Sequence, residues 1–280
     1  MSAQLEALRR HVAPRAATST PLPERGAVVV GGGKGGVGTS TVAALLALLA
    51  AAEGTRTLLV DADETLGALA LLLGAQPAAG WPALRGGGEA ERRLHSLSPA
   101  LDLLPGGGAG DAPFSPVERR TLFRRVGALY GGYELVVVDG GSRLDALLAA
   151  CDAGLGRLLL VAAPERIALA ATHALAKAVE ARHAGCAIEV LVNRADEASG
   201  ARAFRELSLA AERFLARGLE YAGAVPDDDC LHAGVAAGMS VQDAADGSPA
   251  ATVLYAVARR LVTSVGAAAA VAPHIPQPLG

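Results

Sequence analysis

The chain has 280 residues, of which 51% are hydrophobic but only 3% aromatic, and a formal net charge of −3. That length suits one large α/β domain or two small ones with a core of Ala, Leu and Val, and that charge gives no reason to expect direct nucleic-acid binding. Cys151, Cys186 and Cys230 are too far apart for a C-x-x-C site and the histidines show no ligand spacing, which excludes a disulfide framework or zinc site and reads as reduced thiols in a cytoplasmic protein.

Residues 1–21 form a polar leader without the apolar stretch of a signal peptide. Within it Leu5, Leu8 and Val12 predict a short amphipathic helix ended by Pro14. AVVV (Ala27–Val30) then runs into the turn GGGKGGVGTST (Gly31–Thr41), and the turn into an apolar helix closed by Gly54. That helix holds the longest apolar run, Val42–Ala52, of 11 residues, short of the ~20 needed to span a bilayer. TLLVDAD (Thr57–Asp63) reads as a second strand ending in acids. The segment Gly74–Gly110, rich in Gly and Pro, reads as a surface excursion, although LDLLPGG near its end is a third strand. YELVVVDGG (Tyr133–Gly141), RLLLVAAPE (Arg157–Glu165), AIEVLVNR (Ala187–Arg194) and LEYAGAVPDD (Leu219–Asp228) follow as strands.

Helices are expected over Pro116–Leu129, Arg166–His183 and Arg202–Arg217, the last with Phe204, Leu207, Ala211, Phe214 and Leu215 on its apolar face. Continuous apolar strands alternating with helices predict a doubly wound, mostly parallel sheet in a three-layer α/β/α sandwich over residues 22–265. In Ala256–Ala268, Val257, Leu261 and Val265 form one stripe beside Arg259 and Arg260. This reads as a core-packing last helix, with peripheral membrane contact as the alternative. Residues 266–280 read as a disordered tail.

A glycine-rich turn between a strand and a helix aims backbone N–H groups and a helix N-terminus at one point, which suits a phosphate. Here Gly33, Lys34, Gly35, Gly36, Val37, Gly38, Thr39, Ser40 and Thr41 make that turn. Ser40 stands where a loop hydroxyl ligates Mg²⁺, and Asp139 ends VVVD where an acid holds the magnesium shell. Asp61 and Asp63 end the second strand beside the turn, one of them suited to orienting a water. The residue before Ser40 is Thr39, where a phosphate loop ordinarily carries lysine.

KGGVG after a strand resembles the deviant phosphate loop of the MinD/ParA family of P-loop NTPases, whose pattern is K-G-G-x-G-K-[ST]. The resemblance implies ATP or ADP with Mg²⁺ as ligand, and an ATP-dependent homodimer in which Lys34 reaches the partner's phosphates. It further implies Asp63 as the water-positioning acid, and Ser40, Asp61 and Asp139 about the metal. VNR places Asn193 and Arg194 at the adenine, and AVPDD places Pro226 beside the base. Within the family, VDADETLGALALLLG, LLPGG, PERIALAATHALAK and the stretch from AAERFLARGLEYAGAVPDDD to SPAA are similar to the FlhG/FleN group of flagellar number and placement regulators. Gln4, Leu8 and Arg9 have the offsets of that group's D-Q-A-x-x-L-R element, implying an FlhF-like GTPase and flagellar basal-body proteins as partners, at the inner face of the plasma membrane. Ala3 and Leu5 depart from the element.

Other departures lie on the γ-phosphate side. Thr39 removes a charge-assisted contact worth about 2–3 kcal/mol, and Ala68, Ala70 and Ala171 replace the family's polar residues. They imply weak nucleotide binding and slow or absent ATP hydrolysis. GGVGTST is also similar to pilus-localisation (CpaE/TadZ) and cellulose-synthesis (BcsQ) proteins. The former usually carry a preceding receiver-like domain that 25 residues cannot hold, and the latter lack the signature lysine that Lys34 supplies. A nitrogenase-type iron protein needs two well-placed cysteines, and Cys151 has no suitable companion. A nucleotide-independent interaction scaffold is the non-enzymatic alternative.

Overall fold

Successive side chains of a strand point to opposite faces of its sheet, and in this chain both sets are apolar. Val29, Leu58 and Val60 pack into one core, whereas Val28, Val30 and Leu59 pack into the other. A sheet built so must be covered on both sides. The computed structural model describes residues 26–108, 114–152, 156–183, 186–214 and 218–269. In chain order these form β1 (Ala27–Gly32), α1 (Thr39–Ala52), β2 (Thr57–Asp61), α2 (Leu69–Leu72), β3 (His95–Ser98), β4 (Leu101–Leu104), α3 (Pro116–Gly127) and β5 (Leu135–Asp139). There follow α4 (Leu144–Asp152), β6 (Arg157–Ala162), α5 (Arg166–Arg182), β7 (Ala187–Asn193), α6 (Glu197–Phe214), β8 (Glu220–Val225), α7 (Asp229–Ala236), α8 (Val241–Ala244) and α9 (Pro249–Ala269).

The strands order as β3-β4-β2-β5-β1-β6-β7-β8, parallel except for the β3–β4 hairpin. This is the doubly wound sheet expected. β1 lies between β5 and β6, so the chain leaves β1 and returns on both sides of it. A crevice opens at such a switch point, outside the carboxyl ends of the strands. Register brings Asp61 of β2 level with Asp139 of β5, and Asp139 level with Val30 of β1, so both acids stand beside the glycine turn. α1 is apolar nearly all round, and Val42, Ala43, Leu45, Leu46 and Ala50 are buried, as a helix enclosed between a sheet and other helices requires.

Several expectations are corrected. The described part of Gly74–Gly110 is not a surface excursion. Trp81, Leu84, Leu101, Leu103 and Leu104 are fully buried, and β3 adds an edge strand. The Trp81 ring stacks on Phe114 at 5.3 Å and meets Phe123 edge-on at 5.4 Å. Its indole N–H donates to the Asp61 carbonyl at 2.7 Å, so this segment braces the end of β2. α6 starts at Glu197 rather than Arg202, because the Asp196 carboxylate accepts the Ser199 amide at 2.7 Å and caps the helix there. α9 begins at Pro249, ahead of the expected stretch Ala256–Ala268, and ends at Ala269.

Val257 and Leu261 of α9 are buried in the core that contains α1, and Arg260 pairs with Glu189 at 2.9 Å. These two members of the stripe pack inward. No helix among the described residues is long and apolar enough to cross a membrane. Gln4, Leu8 and Arg9 of the leader, Leu215, and residues 270–280 lie outside the described residues, as do the side chains of Phe214 and Val265.

Candidate functional site

The turn after β1 is shaped by close approaches that only glycine allows. A Cβ on Gly33 would lie 2.2 Å from the Thr172 amide nitrogen and 2.3 Å from the Ala171 carbonyl carbon, so α5 packs backbone to backbone against the turn. Gly38, the residue capping α1, has φ 92°, in the left-handed region. No side chain caps the α1 N-terminus and no acid sits in its first turn, so the partial positive charge of its amides faces outward. Asn193, at the end of β7, donates its Nδ2 to the Val37 carbonyl at 2.8 Å and clamps the turn from behind.

The turn opens on a cavity of about 270 Å³. Lys34, Gly35, Gly36, Gly38, Thr39, Ser40 and Thr41 line one wall. Asp63, the stretch Gly140–Arg143 and Ala146 line the other. Lys34 is exposed and makes no ion pair with a described residue. Gly33, Val37, Asp61, Asp139, Asn193, Arg194 and Pro226 do not line this cavity. Arg194 is exposed with φ 57°, an uncommon conformation for a non-glycine residue, and Pro226 is half-buried.

Three acids behave differently. Asp139 is buried, and burial pushes its carboxyl upward against the opposing hydrogen bonds from the Ser40 hydroxyl and the Gly141 amide, the latter at 3.0 Å. Asp63 borders the cavity half-buried. Burial raises its carboxyl, but the Thr65 and Leu66 amides, the Thr65 hydroxyl and nearby Arg143 outweigh that and hold it below the usual carboxylate range. Asp61 is buried outside the cavity lining: Oδ1 accepts the Asp63 amide and Oδ2 the Leu69 amide, each at 3.0 Å. Burial, then the neighbouring Asp139, push its carboxyl up to about 7.

That value makes a prediction. The folded chain retains a proton on Asp61 that the unfolded chain releases, so stability falls as pH rises from about 4 to about 7. The expected contribution of Asp61 to the slope is about 1.4 kcal/mol per pH unit, read from urea unfolding in EDTA. Asp61→Asn lowers stability by losing one acceptor and flattens the slope without abolishing it, because buried Asp139 titrates in the same direction. An unchanged slope in Asp61→Asn contradicts the assignment.

Beside Asp63 lies a charged cluster that sequence reasoning missed. Glu64 is fully buried, and Arg119 of α3, only 3% exposed, holds it with Nε at 2.7 Å and Nη2 at 2.5 Å. Arg119 Nη1 also pairs with Asp145 at 3.0 Å. Arg143 reaches Asp145 at 3.1 Å, Glu64 at 3.2 Å and Asp63 at 4.0 Å. The loop after β2 and the loop after β5 are thereby joined by side chains that flank the cavity. Glu64 and Arg119 are 55 residues apart, and nothing local in either stretch announces the pair.

Comparisons with known proteins give the family and the fold. The family model described as "CobQ/CobB/MinD/ParA nucleotide binding domain" matches residues 28–241. The chain is 28% identical over 238 residues to antiactivator FleN of Pseudomonas aeruginosa, covering 84% of this chain and 85% of that one. In fold it is similar to the septum site-determining protein MinD of Pyrococcus horikoshii, solved with Mg-ADP, at a TM-score of 0.67 and 23% identity over 86% of this chain and 98% of that one. It is also similar to the MinD cell division protein complex with MinC from Aquifex aeolicus, at 0.68 and 21%, over 90% and 98%. The match over most of its length makes this chain a member of the CobQ/CobB/MinD/ParA nucleotide-binding domain family.

Proposed function

We propose that this protein binds adenine nucleotide with Mg²⁺ in the cavity beside the glycine turn, hydrolyses ATP slowly or not at all, and regulates flagellar number or placement. The observation that carries the nucleotide reading is the uncapped turn Gly33–Thr41 opening on a cavity of about 270 Å³, with Ser40 hydrogen-bonded to buried Asp139 at its edge. The donor set fits a magnesium nucleotide: outward amides for phosphate oxygens, a hydroxyl for the metal and an acid behind it. When bound, Mg²⁺ neutralises phosphate charge and polarises the γ-phosphoryl group.

The chain's own residues then divide the work. The amides of the turn orient the phosphates, and Ser40 holds the metal while Asp139 orients Ser40. Asp63, ionised and bordering the cavity, is placed to position a water. Lys34 serves a partner subunit in a homodimer. Asn193 supports the loop through Val37 and, with Arg194 and Pro226, forms the base-binding end. Asp61 acts as a brace for the loop rather than as a direct metal ligand, since backbone amides occupy both its oxygens. Thr39 has no charge to offer the γ-phosphate, which makes the site a poor catalyst.

Kinship with antiactivator FleN over 84% of the chain supports the flagellar role. The leader through Gln4, Leu8 and Arg9 then recruits an FlhF-like GTPase, the folded domain spans residues 22–265, and the protein works in the cytoplasm at the inner membrane face. The test is titration of the full chain with fluorescent ADP and ATP in Mg²⁺, with phosphate release measured beside the FleN of Pseudomonas aeruginosa. Saturable binding of both with slower turnover is expected. Turnover equal to that of FleN refutes the impaired site, and no binding of either nucleotide refutes the nucleotide reading.

A further inference from the structure

The cavity lost one cation at Thr39, yet a guanidinium stands on its opposite wall. Arg143 lines the cavity together with Thr39 and Ser40. It comes from the loop that follows Asp139, so it faces the glycine turn across the cavity. Building on the nucleotide-binding reading above, we propose that Arg143 supplies the phosphate contact that Thr39 cannot make and gives the site its preference for a triphosphate over a diphosphate.

The geometry shows why this arginine can be spared from its present partners. Its guanidinium is held by Asp145 at 3.1 Å and Glu64 at 3.2 Å, with Asp63 at 4.0 Å. Both nearer acids already have a second cation. Arg119 holds Glu64 through two nitrogens and Asp145 through a third. When Arg143 turns toward a phosphate, neither carboxylate is left without a cation, so the large penalty for stranding a buried charge does not arise. Arg119 cannot make the same move. It is 3% exposed, it also donates to the Phe114 carbonyl, and it does not line the cavity.

The arginine side chain is about one-third exposed and its partner Asp145 is 47% exposed. Ion pairs of that kind are worth little in water, whereas a planar fork matched to a terminal phosphate makes two charge-assisted hydrogen bonds. The exchange therefore favours the ligand with the most charge at that wall. A diphosphate, anchored by the amides of the turn, leaves Arg143 with Asp145. The same movement withdraws a positive charge from Asp63, so the occupant of the cavity is reported to the loop that carries Glu64 and Leu66.

The experiment compares ADP and ATP affinities of the full chain, of Arg143→Gln and of Arg143→Lys in Mg²⁺. Arg143→Gln is expected to lose about tenfold in ATP affinity and to keep the ADP affinity of the parent. Arg143→Lys keeps the charge without the fork and loses a smaller factor. It decides the matter should the glutamine variant not fold. Parental ATP affinity in Arg143→Gln, or an equal loss for both nucleotides in either variant, overturns the assignment of Arg143 alone. A parent that binds neither nucleotide removes the nucleotide reading and this proposal with it.

Discussion

Arg119→Met is expected to destabilise the fold by about 3–5 kcal/mol, because removing one partner of a buried ion pair strands the other. Glu64 is fully buried and takes two of its hydrogen bonds from Arg119. The loss falls toward the lower end of that range, since Arg143 remains 3.2 Å from the same carboxylate. The double variant Glu64→Leu with Arg119→Met removes the stranded charge and recovers part of the stability. It does not recover all of it. The Phe114 amide donates to Glu64 and the Phe114 carbonyl accepts from Arg119, and both then lack those partners. Urea unfolding of the two variants checks this. If Arg119→Met is as stable as the parent, the buried pair is not an ion pair in solution.

That pair also shows where sequence reading stops. The strands were legible because a parallel sheet covered on both faces demands near-continuous apolar runs, and LLVD, LVVVD and LLLVA are such runs. The turn was legible because its glycines stand in one run between a strand and a helix and Gly38 takes a left-handed φ there, although the α5 backbone that Gly33 meets comes from far along the chain. The segment after Gly74 has neither property. Its Gly-Pro composition carries no period, and its burial depends on Trp81 meeting Phe114 and Phe123 from elsewhere in the chain. One signal was present, since Trp81 is the only tryptophan in a chain with 3% aromatics, and so large an apolar surface is seldom left in water. β3 escaped notice because HSLS is a short edge strand alternating half-buried with exposed positions. Arg143 and Glu64 could not be placed at all, because their meaning arises only when two loops after different strands are brought together. Asp61 was legible as an acid at a strand end, but its burial against the Asp63 and Leu69 amides was not.

Thr39→Lys is expected to raise ATP affinity by about thirty- to a hundred-and-fiftyfold, from one restored charge-assisted contact of about 2–3 kcal/mol. Thr39 already lines the cavity, but its hydroxyl is turned back so that a Cβ on Gly32 would lie 2.4 Å from it. A lysine stem cannot follow that path and must leave toward the phosphates. The effect is measured by titration with fluorescent ATP in Mg²⁺. It should be larger in the Arg143→Gln background than in the parent, because two cations competing for one terminal phosphate are not additive. Equal gains in both backgrounds mean that the two side chains act at separate places. No gain in either means that phosphate does not reach this wall, and the glycine turn then serves the packing of α5 rather than a ligand.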